Sequence, residues 1–85
     1  MELSKLLKNP DYRKILRFFH ENPNSIDTAR GVATWTNIDK KKVTLILKKL
    51  SDHKLLIAHN VSSTTGYSYT RNKKNMKSIE GLLKG

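Results

Sequence analysis

The sequence predicts an α+β domain, mainly helical: a three-helix core, a β-hairpin after it, and an amphipathic helical segment at each end. Three observations carry this. Apolar residues recur at helical spacing through residues 10–21 and again through 40–53, the mark of helices with one buried side. From residue 55 to 70 the pattern becomes two short strand-like runs around a polar loop. The chain has 85 residues, the size of one small domain, so 1–85 is read as a single unit with its core at 10–70.

The elements follow in order. Leu3, Leu6 and Leu7 give residues 2–8 a one-sided helical stripe. Asn9 is a helix cap and Pro10 stands at the first helical position, where its missing N–H costs nothing. The helix they open runs to Glu21 and buries Tyr12, Ile15, Leu16 and Phe19, until Asn22-Pro23-Asn24 stops it. Ser25 and Ile26 are extended. Asp27 or Thr28 caps a short helix over 28–35, with Ala29, Val32, Ala33 and Trp35 expected inward. Thr36-Asn37 is a tight turn, since Asn tolerates left-handed backbone, and Ile38 plugs the angle between helices. Asp39 caps the third helix, 40–53. Residues 55–60 form a strand, 61–66 a polar loop ending in Gly66, and 67–70 a second strand with Tyr67 and Tyr69 on one face, packed on the helices. Met76, Ile79, Leu82 and Leu83 make 72–84 a last amphipathic helix.

Charge is the first functional signal. Seventeen Lys and Arg against seven Asp and Glu give +10 at neutral pH, a field that draws polyanions. No acidic residue stands between Asp52 and Glu80, while Lys54, Arg71, Lys73, Lys74 and Lys77 do. There is no cysteine, which removes disulfides, thiolate metal sites and cysteine nucleophiles. His20, His53 and His59 have no metal-ligand spacing, no glycine-rich phosphate loop is present, and no acid pair or Ser/His/Asp set is recognisable. The expectation is therefore no catalytic residue, no metal, no cofactor and no small-molecule substrate. The longest apolar run, 55–58, is far below the roughly 20 residues that span a bilayer. No signal-peptide pattern leads the chain, and a cytoplasmic location is expected.

Helix, short strand, helix, tight turn, helix and hairpin is the order of a winged helix-turn-helix. The run from Asp27 through Val43, Thr44, Leu47 and Leu50 to Ile57 resembles the core of MarR- and ArsR-type transcriptional regulators: an Ala-rich helix, a turn, a Val-Thr-x-x-Leu-x-x-Leu helix and an apolar strand. The resemblance spans roughly residues 10–70. It implies sequence-specific binding of double-stranded DNA, with helix 40–53 in the major groove and the wing at 61–66 beside the backbone. Winged helices also serve as protein-interaction modules, the alternative reading.

The third helix is laid out for the first role. With about 100° between residues, Val43, Ile46, Leu47 and Leu50 share the core side and Lys41, Thr44, Leu45, Lys48 and Asp52 the opposite one. Lys40, Lys41, Thr44 and Lys48 are the candidate major-groove contacts. Three lysines in a first turn oppose the helix dipole, a cost that Asp39 only partly offsets and that a phosphate would relieve. Candidate phosphate contacts are Thr28, Arg30, Lys42, Lys49, Ser63, Thr64, Arg71 and Lys73. The loop 61–66 has no basic residue, so its hydroxyls must serve as donors, with Arg71 and Lys73 supplying charge beyond the second strand. Leu45 on the outward face suits a thymine methyl or a protein surface. Lys54 stands where the resembling families often carry Gly, so it or His53 must turn the chain out of the helix. The two terminal apolar stripes can pack within one chain or across a two-fold axis, and a homodimer is the expectation.

Overall fold

Local chemistry starts the four longer helices. The Asn9 side chain accepts the Asp11 N–H at 2.9 Å and Pro10 opens the helix behind it. Thr28 accepts from Gly31 N at 3.2 Å, and Asp39 from Lys41 N at 3.1 Å. Asn72 accepts from Asn75 N at 3.0 Å. Each side chain satisfies one donor that a helix start leaves unpaired.

The computed structural model describes residues 3–84. Its elements are α1 (Leu3–Leu6), α2 (Pro10–Glu21), β1 (Ile26–Thr28), α3 (Ala29–Thr36), α4 (Lys40–Asp52), β2 (Leu56–Val61), β3 (Thr64–Tyr69) and α5 (Lys73–Lys84). The strands form one antiparallel sheet in the order β1-β3-β2. The fold is the mainly helical α+β arrangement that the sequence predicts.

The core is the set of stripes facing one another. Ile15, Leu16 and Phe19 of α2 meet Val32 of α3, Val43, Ile46, Leu47 and Leu50 of α4, Leu56 and Tyr69 of the hairpin, and Ile79 and Leu83 of α5. Fully burying one such side chain is worth about 1.5–3 kcal/mol. Tyr69 is buried with its hydroxyl 3.1 Å from His20 Nδ1. Burial, and secondarily the Glu80 carboxylate, push its ionisation above the ordinary phenol value. The terminal segments pack on each other within one chain, with Leu7, Ile79 and Leu83 buried. Arg13 and Arg17 of α2 donate to the last-turn carbonyls of α5, Leu82 and Leu83, at 2.7–3.3 Å.

Two helix ends need left-handed backbone and take it without glycine. Asn37 ends α3 at φ 60°, as expected. Lys54, not His53, turns the chain out of α4, at φ 63°. Lys54 N donates to Ser51 O and Leu55 N to Leu50 O, the paired bonds of a Schellman motif, and Leu50 and Leu55 supply its apolar contact.

Four expectations are corrected. The first helical segment, expected over 2–8, is one turn ending at Leu6, and Glu2 lies outside the described residues. Asn9 must be extended (ψ 120°) to cap α2, and a residue before proline avoids the helical region, so a helix cannot run into it. Trp35 is not core but 73% exposed. On a helix of eight residues the buried side is set by Val32, and Thr36 falls next to it. Thr36 is buried because its hydroxyl is satisfied by Val32 O at 2.7 Å. The loop 61–66 is shorter than expected: β2 reaches Val61 and β3 begins at Thr64, leaving Ser62 and Ser63 as the turn. Ser62 has φ 56°, positive at the first central residue as in a type II′ hairpin turn. Finally, Ile26 and its two successors are a third strand, pairing with β3, rather than an extended link.

Candidate nucleic-acid interface

α4 packs on the core through Val43, Ile46, Leu47 and Leu50, so its other side is necessarily outward. Lys41, Leu45, Lys48 and Asp52 occupy the centre of that side, each exposed. Lys40 and Thr44 lie on the flank toward the hairpin, and Lys42 and Lys49 on the opposite flank. The only ion pair among the described residues is Glu80–Lys84 at 3.3 Å. The lysines of α4 therefore have no carboxylate partner there.

β2 leaves the end of α4 and runs antiparallel to β3, which brings the hairpin tip back to the start of that helix. Its tip and the first turns of α3 and α4 border one open cleft of about 510 Å³. Thr28, Arg30, Lys40, Thr44, Ser63 and Thr64 all line it. No carboxylate does. Sequence reasoning thus selects six residues that the fold brings together. Thr28 accepts from Gly31 N, a bond that does not use its own O–H donor. The Thr44 hydroxyl is turned back onto Lys40 O at 2.9 Å.

The remaining candidates sit elsewhere. Lys41 and Lys48 stand on the exposed crest of α4 beside the cleft. Arg71 borders a separate surface with Lys54, Ile57 and Asn75, at the base of the hairpin, and Lys73 begins α5 beside it. The hairpin tip is a six-residue strand away, roughly 17–20 Å.

Thr65 and Tyr67 also line the cleft, which sequence reasoning missed for Thr65. Its signal was the strand period: with β3 starting at Thr64, Thr65, Tyr67 and Tyr69 fall on one face. Tyr69 reaches the core and Tyr67 stops half-buried at the cleft wall. The Thr65 hydroxyl is held by Asn60 Oδ1 at 2.8 Å across the hairpin. The three histidines hold structure: His20 meets Tyr69, His59 Nε2 lies 2.8 Å from Ser68 Oγ, and His53 caps α4.

Helix, turn, helix and a paired hairpin tip bordering one basic cleft decide the fold. The chain is a winged helix-turn-helix. Solved structures agree. It superimposes on the AntR antimony-specific transcriptional repressor with a TM-score of 0.76 at 18% identity, over 93% of this chain and 68% of that one. With reduced HlyU from Vibrio cholerae the TM-score is 0.71 at 15% identity, over 94% and 80% of the two chains. With the Archaeoglobus fulgidus protein AF1382 it is 0.72 at 20%, over 98% and 91%. At these identities the likeness is one of fold. No protein-family model matches the sequence, and no curated protein matches it.

Proposed function

We propose that this winged helix is a transcriptional regulator that binds double-stranded DNA sequence-specifically, acting by binding rather than catalysis. The observation that carries the reading is the cleft: Arg30, Lys40 and a set of hydroxyls converge between the start of α4 and the hairpin tip, with no carboxylate among them. A duplex fits there with α4 in the major groove and the wing beside the backbone. Lys40, Lys41, Thr44 and Lys48 face the base edges. Thr28, Arg30, Lys42, Lys49, Ser63 and Thr64 hold phosphates on either side. Arg71 and Lys73, at the hairpin base, add to the attracting field more than to direct contact. The likeness to a transcriptional repressor supports the regulatory role.

Leu3, Leu6, Met76 and Leu82 remain half-buried beside the α1–α5 contact, which supports a homodimer through the terminal helices. Two copies of α4 about 34 Å apart would then read a palindrome. Such a regulator works in the cytoplasm. No helix among the described residues is long and apolar enough to cross a membrane.

The test is fluorescence anisotropy of a mixed-sequence duplex across a salt series. With four to six phosphates neutralised, log K falls against log salt with a slope of roughly −4 to −5, about −0.9 per contact. The double charge reversal Lys41→Glu/Lys48→Glu abolishes binding. No binding even at low salt overturns the proposal. It would favour the second reading, a protein-interaction module, for which the exposed Ile26, Trp35, Leu45, Ile57 and Val61 are the supporting observation.

A further inference from the structure

The outward side of α4 is unusual in what it offers to a base edge. The helix contains no Arg, Asn or Gln, the side chains whose paired hydrogen-bonding groups read guanine and adenine in the major groove. Lysines supply charge and three rotatable donors that can reach guanine O6 and N7, but without the fixed planar fork of arginine. Thr44 has its hydroxyl proton committed to Lys40 O. At the centre of the strip stands Leu45, 69% exposed. Lys41 and Lys48, one turn away on either side, are its neighbours along the helix.

The only apolar group that the major groove presents is the thymine 5-methyl. A leucine flanked by lysines matches a thymine flanked by phosphates in both hydropathy and charge. We infer that Leu45 is a specificity-determining residue that reads thymine methyl groups, so that the preferred half-site carries thymine where the middle of α4 lies. This rests on the DNA-binding reading proposed above. A protein docked on Leu45 would have to be acidic to tolerate the same lysine frame, and such a partner is the competing outcome of the test.

The experiment selects duplexes from a random-sequence pool with the full chain, then replaces thymines of the selected half-site one at a time by deoxyuridine. That removes only the methyl, and it leaves the protein untouched. The native chain is expected to lose about fourfold in affinity at one or two positions, the worth of roughly one buried methylene each. Leu45→Ala, at an exposed helical position where alanine is well tolerated, is expected to bind thymine and deoxyuridine duplexes equally, with its thermal melt unchanged. Native affinity indifferent to every replacement overturns the inference while leaving DNA binding intact. So does a methyl effect that persists in Leu45→Ala. No selected duplex at low salt overturns the DNA reading itself, and the inference with it. Retention of an acidic protein through Leu45 in that case would identify the competing outcome.

Discussion

Replacing Lys42 by Glu is expected to stabilise the free protein while weakening its hold on DNA. Lys42 is the third residue of α4, behind the cap formed by Asp39. Only one N–H of the first turn, that of Lys41, receives a side-chain acceptor. Three cations share that turn with the positive end of the helix dipole. Each such cation costs about 0.3–1 kcal/mol and an anion gains a similar amount, so the exchange is worth roughly 0.6–2 kcal/mol before screening. A carboxylate at this position also completes a capping box by reaching back to the cap's own N–H. Exposure of Lys42 to solvent and repulsion from Asp39 discount the sum, leaving about 0.5–1 kcal/mol. In a domain of this size that raises Tm by about 2–8 °C. Urea denaturation followed by circular dichroism measures it, at low salt and again near 1 M, where a screening length of about 3 Å should erase most of the gain. Lys42→Gln should show about half the effect. A less stable Lys42→Glu at low salt, or a gain that ignores salt, would refute the argument that this turn is held against its own electrostatics. DNA affinity, under the proposed function, moves the other way.

Three other perturbations probe the frame. In Gly66→Ala the new Cβ would stand 2.9 Å from Ile26 Cγ2, so a loss of about 1–3 kcal/mol is expected, and Ile26→Ala should restore most of it in a double-mutant cycle. Lys54→Gly relieves the left-handed backbone at φ 63°, worth about 1–2 kcal/mol. Set against the larger unfolded-state entropy of glycine, it should stabilise by about 0.5–1 kcal/mol in urea titrations. Tyr69 has its ionisation raised by burial and by Glu80. Its neutral form is favoured in the fold, so its contribution is complete below the ordinary phenol value near pH 10 and is lost as pH rises through the higher folded value. Thermal melts from about pH 8 to 11 should show that alkaline loss in the native chain and less of it in Tyr69→Phe, whose baseline is lower by the missing His20 bond, about 0.5–1.5 kcal/mol.

The helix-turn-helix was legible because its signals are local. A cap at Asp39, a turn at Asn37 and a stripe at Val43, Ile46, Leu47 and Leu50 each follow from a few adjacent residues. The same holds for the cleft-lining hydroxyls and cations of α3 and α4. Part of what failed to show depends on partners distant in sequence. β1 has only three residues and exists because β3 returns to pair with it. The hairpin tip lies at Ser62 and Ser63 because the Val61–Thr64 pair sets the register, although Thr64 to Gly66 read locally as loop. Trp35 looks like core by size. The short α3 has room to bury only the side marked by Val32, and a threonine able to satisfy its own hydroxyl takes the place. The clamp of Arg13 and Arg17 on α5 joins residues almost seventy positions apart.

The three-stranded sheet has a mechanical consequence. β1 leads directly into α3, and its partner β3 is one arm of the hairpin. The jaw that carries the hairpin tip is thus welded to the base from which the helix-turn-helix begins, rather than hinged on a loop. The opening between tip and α4 is therefore braced by sheet hydrogen bonds up to Gly66. A duplex offered to it must already have the right groove width or must deform to acquire it, and sequences differ in how cheaply they do so. Under the proposed function, part of the selectivity is then exercised at base pairs that none of its side chains touch.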